Sequence, residues 1–220
     1  MPSVKIAKKS TDTDMTPFVD IAFLILSFFI MATKFKPPEP VEITTPNSVS
    51  AGELPQNDAV MVSIDAEDRV FFSVLSEKSV EKFDQIIQEI NTSNNLNLSD
   101  AEMANFRKTL MVGVPLSKLQ SLLRVPADQQ KSVQQEGIPV LDSASNELVR
   151  WIAASKNAFA GQKLTFLIKG DSKSKYPTFE AVVSALKRNE EFKYNLVTAP
   201  EDAPANSELG ILRKSGQAGK

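Results

Sequence analysis

One carboxylate in this chain stands where a charge is expensive. Asp20 is the only charged residue between Met15 and Thr33, in the run MTPFVDIAFLILSFFIMAT. The run holds 19 residues. As a helix rising about 1.5 Å per residue it would reach roughly 28 Å, close to the ~30 Å hydrocarbon core of a bilayer. A carboxylate at the centre of such a helix costs about 2.5–3.5 kcal/mol on insertion scales, and less near an end. An ionisable group in that setting is a functional-site candidate by default. Helical spacing puts Thr16, Asp20, Phe23, Ser27 and Met31 on one stripe. Three of the five are polar, so the stripe suits protein or water better than lipid. A second reading stays open. Pro17 fits the first turn of a helix, and Asp20 lies about one turn on. The carboxylate would then face headgroups and the positive end of the helix dipole. Ser27 is also a small residue of the type that packs helix against helix.

Composition narrows the chemistry. The chain has 220 residues, 42% hydrophobic and 24% charged, with a formal net charge of -2. That balance gives no electrostatic case for nucleic acid. Histidine and cysteine are both absent. Ser-His and Cys-His nucleophiles, zinc fingers, thiolate redox motifs and iron–sulfur ligation are therefore excluded. No cofactor or metal is expected, and no enzymatic activity. Lys5, Lys8 and Lys9 precede the apolar run. No small-x-small cleavage site follows it, so a signal-anchor with the N-terminus inside is expected rather than a cleaved leader.

Around that helix the sequence divides into expected parts. Residues 1–14 read as a polar cytoplasmic tail, 15–33 as a transmembrane helix and 34–58 as a proline-rich linker. Within the linker, Val41–Thr45 alternates apolar and polar residues and is read as a pairing strand ending at Pro46, or as plain spacer. Residues 59–199 read as the folded domain and 200–220 as a disordered tail. In the domain, Val60, Val62, Ile64 and Val70, Phe72, Val74 alternate about an acidic turn, as in a hairpin. Phe83, Ile86, Ile87 and Ile90 stripe a helix from about Ser79 to Asn91. Ser99 and Glu102 form a capping-box pattern for a helix to about Leu110. Pro115 and Pro126 are placed to open further short helices. Leu148, Trp151, Ile152, Ser155 and Phe159 stripe a longer one, ended by Gly161. Trp151 is expected in the core. A strand at Leu164–Ile168, a helix at Phe179–Leu186 and a strand at Tyr194–Thr198 complete a crossover between parallel strands. The fold class is α+β: a small mixed sheet packed by helices, behind an N-terminal membrane helix and stalk. A helical insertion over about 76–142 enlarges the domain. Its helices carry caps and apolar stripes, so it should fold. It is expected to be peripheral, the alternative being that its stripes belong to the central core.

The residues Asp14-Met15-Thr16-Pro17-Phe18-Val19-Asp20, followed by IAFLILSFF, closely resemble the signature that opens the single transmembrane helix of the ExbD/TolR family. AVMVSIDAEDRVFFS resembles the opening hairpin of that family's periplasmic domain. KLTFLIKGD, Tyr176, the following helix and YNLVT resemble its closing strand–helix–strand. VEITTPNSVS resembles the short motif just outside the membrane. The resemblance covers roughly residues 14–75 and 145–199, with the middle as its departure.

The resemblance implies a concrete role. Two such subunits would insert their helices into an ExbB/TolQ-like pentameric pore of the bacterial inner membrane. The aspartate at position 20 would accept and release protons, with Thr16 and Ser27 lining the path and Asp14 and Pro17 starting the helix. The periplasmic domain, a homodimer, would pass the work to a TonB- or TolA-like transducer. Val41, Glu42, Ile43, Thr44 and Pro46 would pair with the twin or with that partner. Two other classes remain: a MotB-like stator relative, and a non-conducting membrane-tethered binding module.

Overall fold

The computed structural model describes residues 15–32, 41–48, 55, 58–76, 80–127 and 129–201. It divides into two units, Met1–Pro38 and Glu39–Lys220. The first contains helix α1, Thr16–Ala32, opened by Phe18 N–H and Val19 N–H donating to the Met15 carbonyl. Among the described residues no helix is long and apolar enough to cross a membrane; α1 itself has 17 residues.

In the second unit, described from Val41 on, the short strand β1 spans Asn47–Ser48. The two alternating runs form β2, Ala59–Ile64, and β3, Val70–Leu75. They pair antiparallel, with Val60 opposite Val74 and Val62 opposite Phe72. The buried Asp65 carboxylate shapes their turn. Its Oδ1 accepts from Glu67 N–H at 3.0 Å and Arg69 N–H at 2.8 Å, and its Oδ2 from Arg69 Nε at 2.6 Å. Helices α2 (Val80–Asn94), α3 (Asp100–Phe106) and α4 (Leu116–Arg124) follow, then a 3-10 turn at Gln130–Ser132. Next come α5 (Leu148–Ala158), β4 (Thr165–Gly170), α6 (Tyr176–Arg188), β5 (Tyr194–Val197) and β6 (Ala199–Pro200). The main sheet has the order β3-β2-β4-β5. β4 lies parallel to both β2 and β5, so β4–α6–β5 is the expected crossover.

Register decides which side chains meet. Val60, Val62, Ile64, Val70, Phe72, Phe166 and Ile168 belong to one core cluster with α2, α5 and α6. Trp151 is fully buried in it, as its place on the apolar stripe of α5 predicts. Two lysines close helices in this unit. Lys82 Nζ donates to the Ala158 carbonyl at 2.5 Å and Lys156 Nζ to that of Asn189, where the helix dipole favours a cation.

The central region is not peripheral. Leu98, Phe106, Val112, Val114, Leu116, Leu119, Leu122, Leu123, Ile138 and Val140 lie in the same cluster as the sheet. Phe106 of α3 stacks on Trp151 at 5.9 Å, and Trp151 meets Phe72 of β3 at 4.9 Å. The physical reason is the width of the sheet face. A four-stranded face needs more apolar cover than α5 and α6 alone provide, and the stripes of α2–α4 provide it. The region also closes the outer edge of β3. Phe72 and Val112 exchange N–H···O bonds of 2.7 and 2.8 Å, and Ile138 N–H donates to the Val70 carbonyl at 2.8 Å.

Three local expectations shift. The helix opened at Ser99 stops at Phe106 rather than near Leu110, because Lys108 and Thr109 N–H bond three residues back and tighten the chain out of the helix. Pro126 opens no α-helix; Gln129 N–H donates to its carbonyl and only the 3-10 turn follows. Pro200, placed in the polar tail, belongs to β6, while residues 202–220 lie outside the described residues.

Candidate functional site

The carboxylate site is built on α1. Asp20 is the fifth residue of the helix, about 6 Å along its axis from Thr16 at ~1.5 Å per residue. No residue of α1 is buried. Phe18, Val19, Ile21, Phe23, Leu24, Ile25, Leu26, Phe28, Phe29, Ile30 and Met31 all expose more than half of their surface. Away from the stripe of Thr16, Asp20 and Ser27 the helix is apolar, and that surface needs an apolar environment to cover it. Asp20 is the single charge of the helix. Ser27, two turns beyond it on the same stripe, is the one half-buried residue of the helix, and its hydroxyl donates to the Leu24 carbonyl at 2.9 Å. That back-bond leaves the oxygen's lone pairs able to accept. Thr16 opens the stripe and Pro17 occupies the first turn. Asp14 and Thr33 lie outside the described residues.

The second group of expected site residues lies in the other unit. Val41, Glu42, Ile43 and Thr44 form no regular strand; the ordered pairing begins beyond Pro46. There β1 runs parallel to β6, Asn47 opposite Ala199 and Ser48 opposite Pro200. Ala199 N–H donates to the Pro46 carbonyl at 3.0 Å and Glu201 N–H to that of Ser48 at 2.9 Å. Thr44 is held by a residue that sequence reasoning missed. Its N–H donates to Asp171 Oδ2 at 2.7 Å, and its carbonyl accepts from Ser172 N–H at 2.9 Å. Asp171 follows β4 directly and is buried. The Lys173 backbone N–H, and then that of Thr44, hold its carboxyl below the ordinary carboxylate range. KGD at the end of a strand was visible in the sequence, but nothing local announced a partner 127 residues away.

Asp171, Pro46, Tyr176, Phe179 and Leu196 line a cleft of about 290 Å³ at the carboxyl ends of β4 and β5. Crevices for ligands in parallel sheets lie at such ends. Asp68, in the hairpin turn at φ 64°, reaches the start of α6, where its Oδ1 accepts from Lys175 N–H at 2.6 Å. That bond depresses its titration. Among the described residues no group of three or more acidic side chains is placed to hold a metal ion.

The family model described as biopolymer transport protein ExbD/TolR matches residues 7–201. The chain belongs to the ExbD/TolR family. Its bounds enclose α1 with Asp20, the segment at 41–48, the whole main sheet and the central helices. No curated protein and no solved structure matches the chain. Membership supplies the coarse function, a transport-energising protein of the TonB/Tol type. It also fits the α+β architecture of this family member, with its small mixed sheet and packed helices.

Proposed function

We propose that this family member is the proton-motive-force-driven energiser subunit of a bacterial inner-membrane motor. In this reading α1, together with Met15 and Thr33, spans the membrane once, with the N-terminus cytoplasmic and the folded unit periplasmic. Two copies insert into an ExbB/TolQ-like pentamer, and the folded unit drives a TonB- or TolA-like transducer for outer-membrane transport or envelope integrity. The chain makes and breaks only a proton bond and needs no cofactor.

The observation that carries this reading is Asp20, one ionisable group on a helix whose every other face is exposed and apolar. Neutral, the carboxyl group tolerates a dry wall; ionised, it needs a polar one. A proton crossing the field carries about 2.3 kcal/mol per 100 mV. Alternation between the two states would turn that energy into movement of the helix pair. Thr16 and Ser27 would line the polar side of the path, and Asp14 with Pro17 would set where the helix starts. Val41, Glu42, Ile43, Thr44 and Pro46 form the segment that would pair with the twin or the transducer. The family match favours this reading over a MotB-like stator.

The test is Asp20→Asn in the assembled complex. The amide keeps nearly the same volume and cannot cycle a proton. Energised transport should vanish while the pore subunit still co-purifies; Asp20→Glu should retain part of the activity. Full transport by the Asn variant would leave only a membrane-tethered binding module.

A further inference from the structure

We propose that the groove beside the β2–β3 turn is the seat of a segment of this same chain, Leu209–Lys214, held there by apolar contact and opposite charge. This goes beyond the proton step and stands whether or not Asp20 carries protons.

The groove has a volume of about 510 Å³ and lies where the central region meets the start of β3. Ile138, Val140 and Leu141 give it an apolar side, and Asp68, Glu136 and Asp142 bring carboxylates to it. Leu141 is 68% exposed although its neighbour Val140 is buried. Arg69, the cation among the described lining residues, is already held by Asp65 and Glu67. Lys118 and Lys175 answer Glu136 and Asp68 in exposed pairs at 2.5 and 3.3 Å. Asp142 has no cationic partner among the described residues; the nearby Arg188 donates to Ser143 instead. The Ala144 N–H, and then the Ser145 hydroxyl, hold the Asp142 carboxyl below the ordinary carboxylate range, each at 3.0 Å. An apolar side with unanswered negative charge at its rim fits a segment in which cations follow apolar residues.

Residues 202–220 contain one. Their large apolar residues fall together at Leu209, Ile211 and Leu212, and Arg213 and Lys214 follow directly. The stretch lies beyond the family match, which ends at residue 201. Topology puts the groove within its reach. β2, β4 and β5 are parallel, so Ile64, Gly170 and Val197 end at one edge of the sheet, and β3 begins at that edge with Val70 opposite Ile64. The Ile138 N–H donates to the Val70 carbonyl there. From β5 to β3 is three strand spacings, roughly 14 Å. From Glu201 to Ile211 is ten residues, at most about 33 Å of chain. That length crosses the sheet edge with slack left for β6. A site met through so short a tether sees an effective concentration of order mM, so a few contacts hold it.

Disulfide trapping on the full chain in lipid nanodiscs tests this, and the sequence has no cysteine to interfere. Leu141→Cys with Ile211→Cys should close in glutathione buffer at least about tenfold faster than Lys163→Cys with Ile211→Cys. Lys163 is exposed and precedes β4, roughly 23 Å from Gly170 at the other edge of the sheet and still within the same length of chain. Equal rates would overturn the proposal. Arg213→Glu with Lys214→Glu should slow the first pair about fivefold and leave the second unchanged, and so should Leu209→Ser with Leu212→Ser. An unchanged rate in either variant would overturn a seat held by charge and apolar contact together. Mixed chains carrying only Leu141→Cys or only Ile211→Cys should cross-link at least about tenfold more slowly than the pair within one chain. Cross-linking of the mixture at the intrachain rate would place the segment on a second copy and overturn the proposal.

Discussion

Phe106→Ala tests whether the central helices belong to the core. Phe106 is 3% exposed, stacks on Trp151 at 5.9 Å and an interplanar angle of 21°, and meets Phe83 edge-on at 6.3 Å. Truncating a buried Phe to Ala costs about 3–5 kcal/mol through lost transfer energy and the cavity left behind. The two aromatic contacts place this site in the upper part of that range, near ~4 kcal/mol. For a unit of this size about 2–4 °C of melting temperature goes with each kcal/mol, so Tm should fall by roughly 10 °C. Trp151 is the only tryptophan of the chain, and it touches the mutated position. Its emission during urea unfolding reports the same loss independently. Removing residues 76–142 altogether, with a short Gly/Ser link, should abolish the cooperative melt, because it takes away the part of the sheet's apolar cover that α5 and α6 do not supply. A Phe106→Ala shift under about 1 °C, the size expected of a surface change, would refute core membership. So would a cooperative melt of the deletion variant.

Further outcomes follow from single contacts. The Glu102 carboxyl is held down to about 2, first by the Ser99 backbone N–H and then by Arg124. Its unfolded value is near 4.3. A depressed carboxylate stabilises the fold above its unfolded value, and the contribution disappears as pH falls from there toward 2. Glu102→Gln should therefore melt lower than the parent at pH 7 and alike at pH 2, read from Tm against pH. Ser99→Ala removes the other half of the capping box and should lower stability by about 1 kcal/mol in denaturant titration. Gly113→Ala would drive a methyl group into the ring of Phe71, which is 1% exposed, and should cost about 1–3 kcal/mol by the same titration. Arg107→Ala breaks an exposed pair with Asp84 and should change stability by under ~1 kcal/mol.

What could be read in the sequence was local. Alternation at Val60–Ile64 and Val70–Val74 placed the hairpin, because a period of two has one structural meaning in so short a run. Ser99 and Glu102 announced a helix start through chemistry confined to four residues, and both halves of the capping box are made. The stripe through Trp151 named a core helix. What failed depended on distance. The apolar stripes of α2–α4 said that they must bury a face, and nothing in them said which face. Only the meeting of Phe106, Trp151 and Phe72 shows it to be the sheet. Asp171 is the same kind of case: its partner Thr44 lies in a segment whose alternation suggested pairing with another chain. On α1, by contrast, the rarity of a charge in an apolar run was the whole signal, and it needed no tertiary partner to be seen.

The closed edge of β3 has a consequence for solubility. A sheet end offers a row of unpaired backbone groups on which another sheet can grow, and long, flat, apolar edges are the usual seeds of aggregation. Val112 and Ile138 occupy that row along β3. The opposite end of the sheet is β5, which has four residues and stands between Lys193 and Pro200. A short strand, a lysine before it and a proline after it are each poor templates for addition. Crowding of many copies would therefore leave these units slow to polymerise through their sheets, even though half of the main sheet's strands, β4 and β5, are made only late in synthesis.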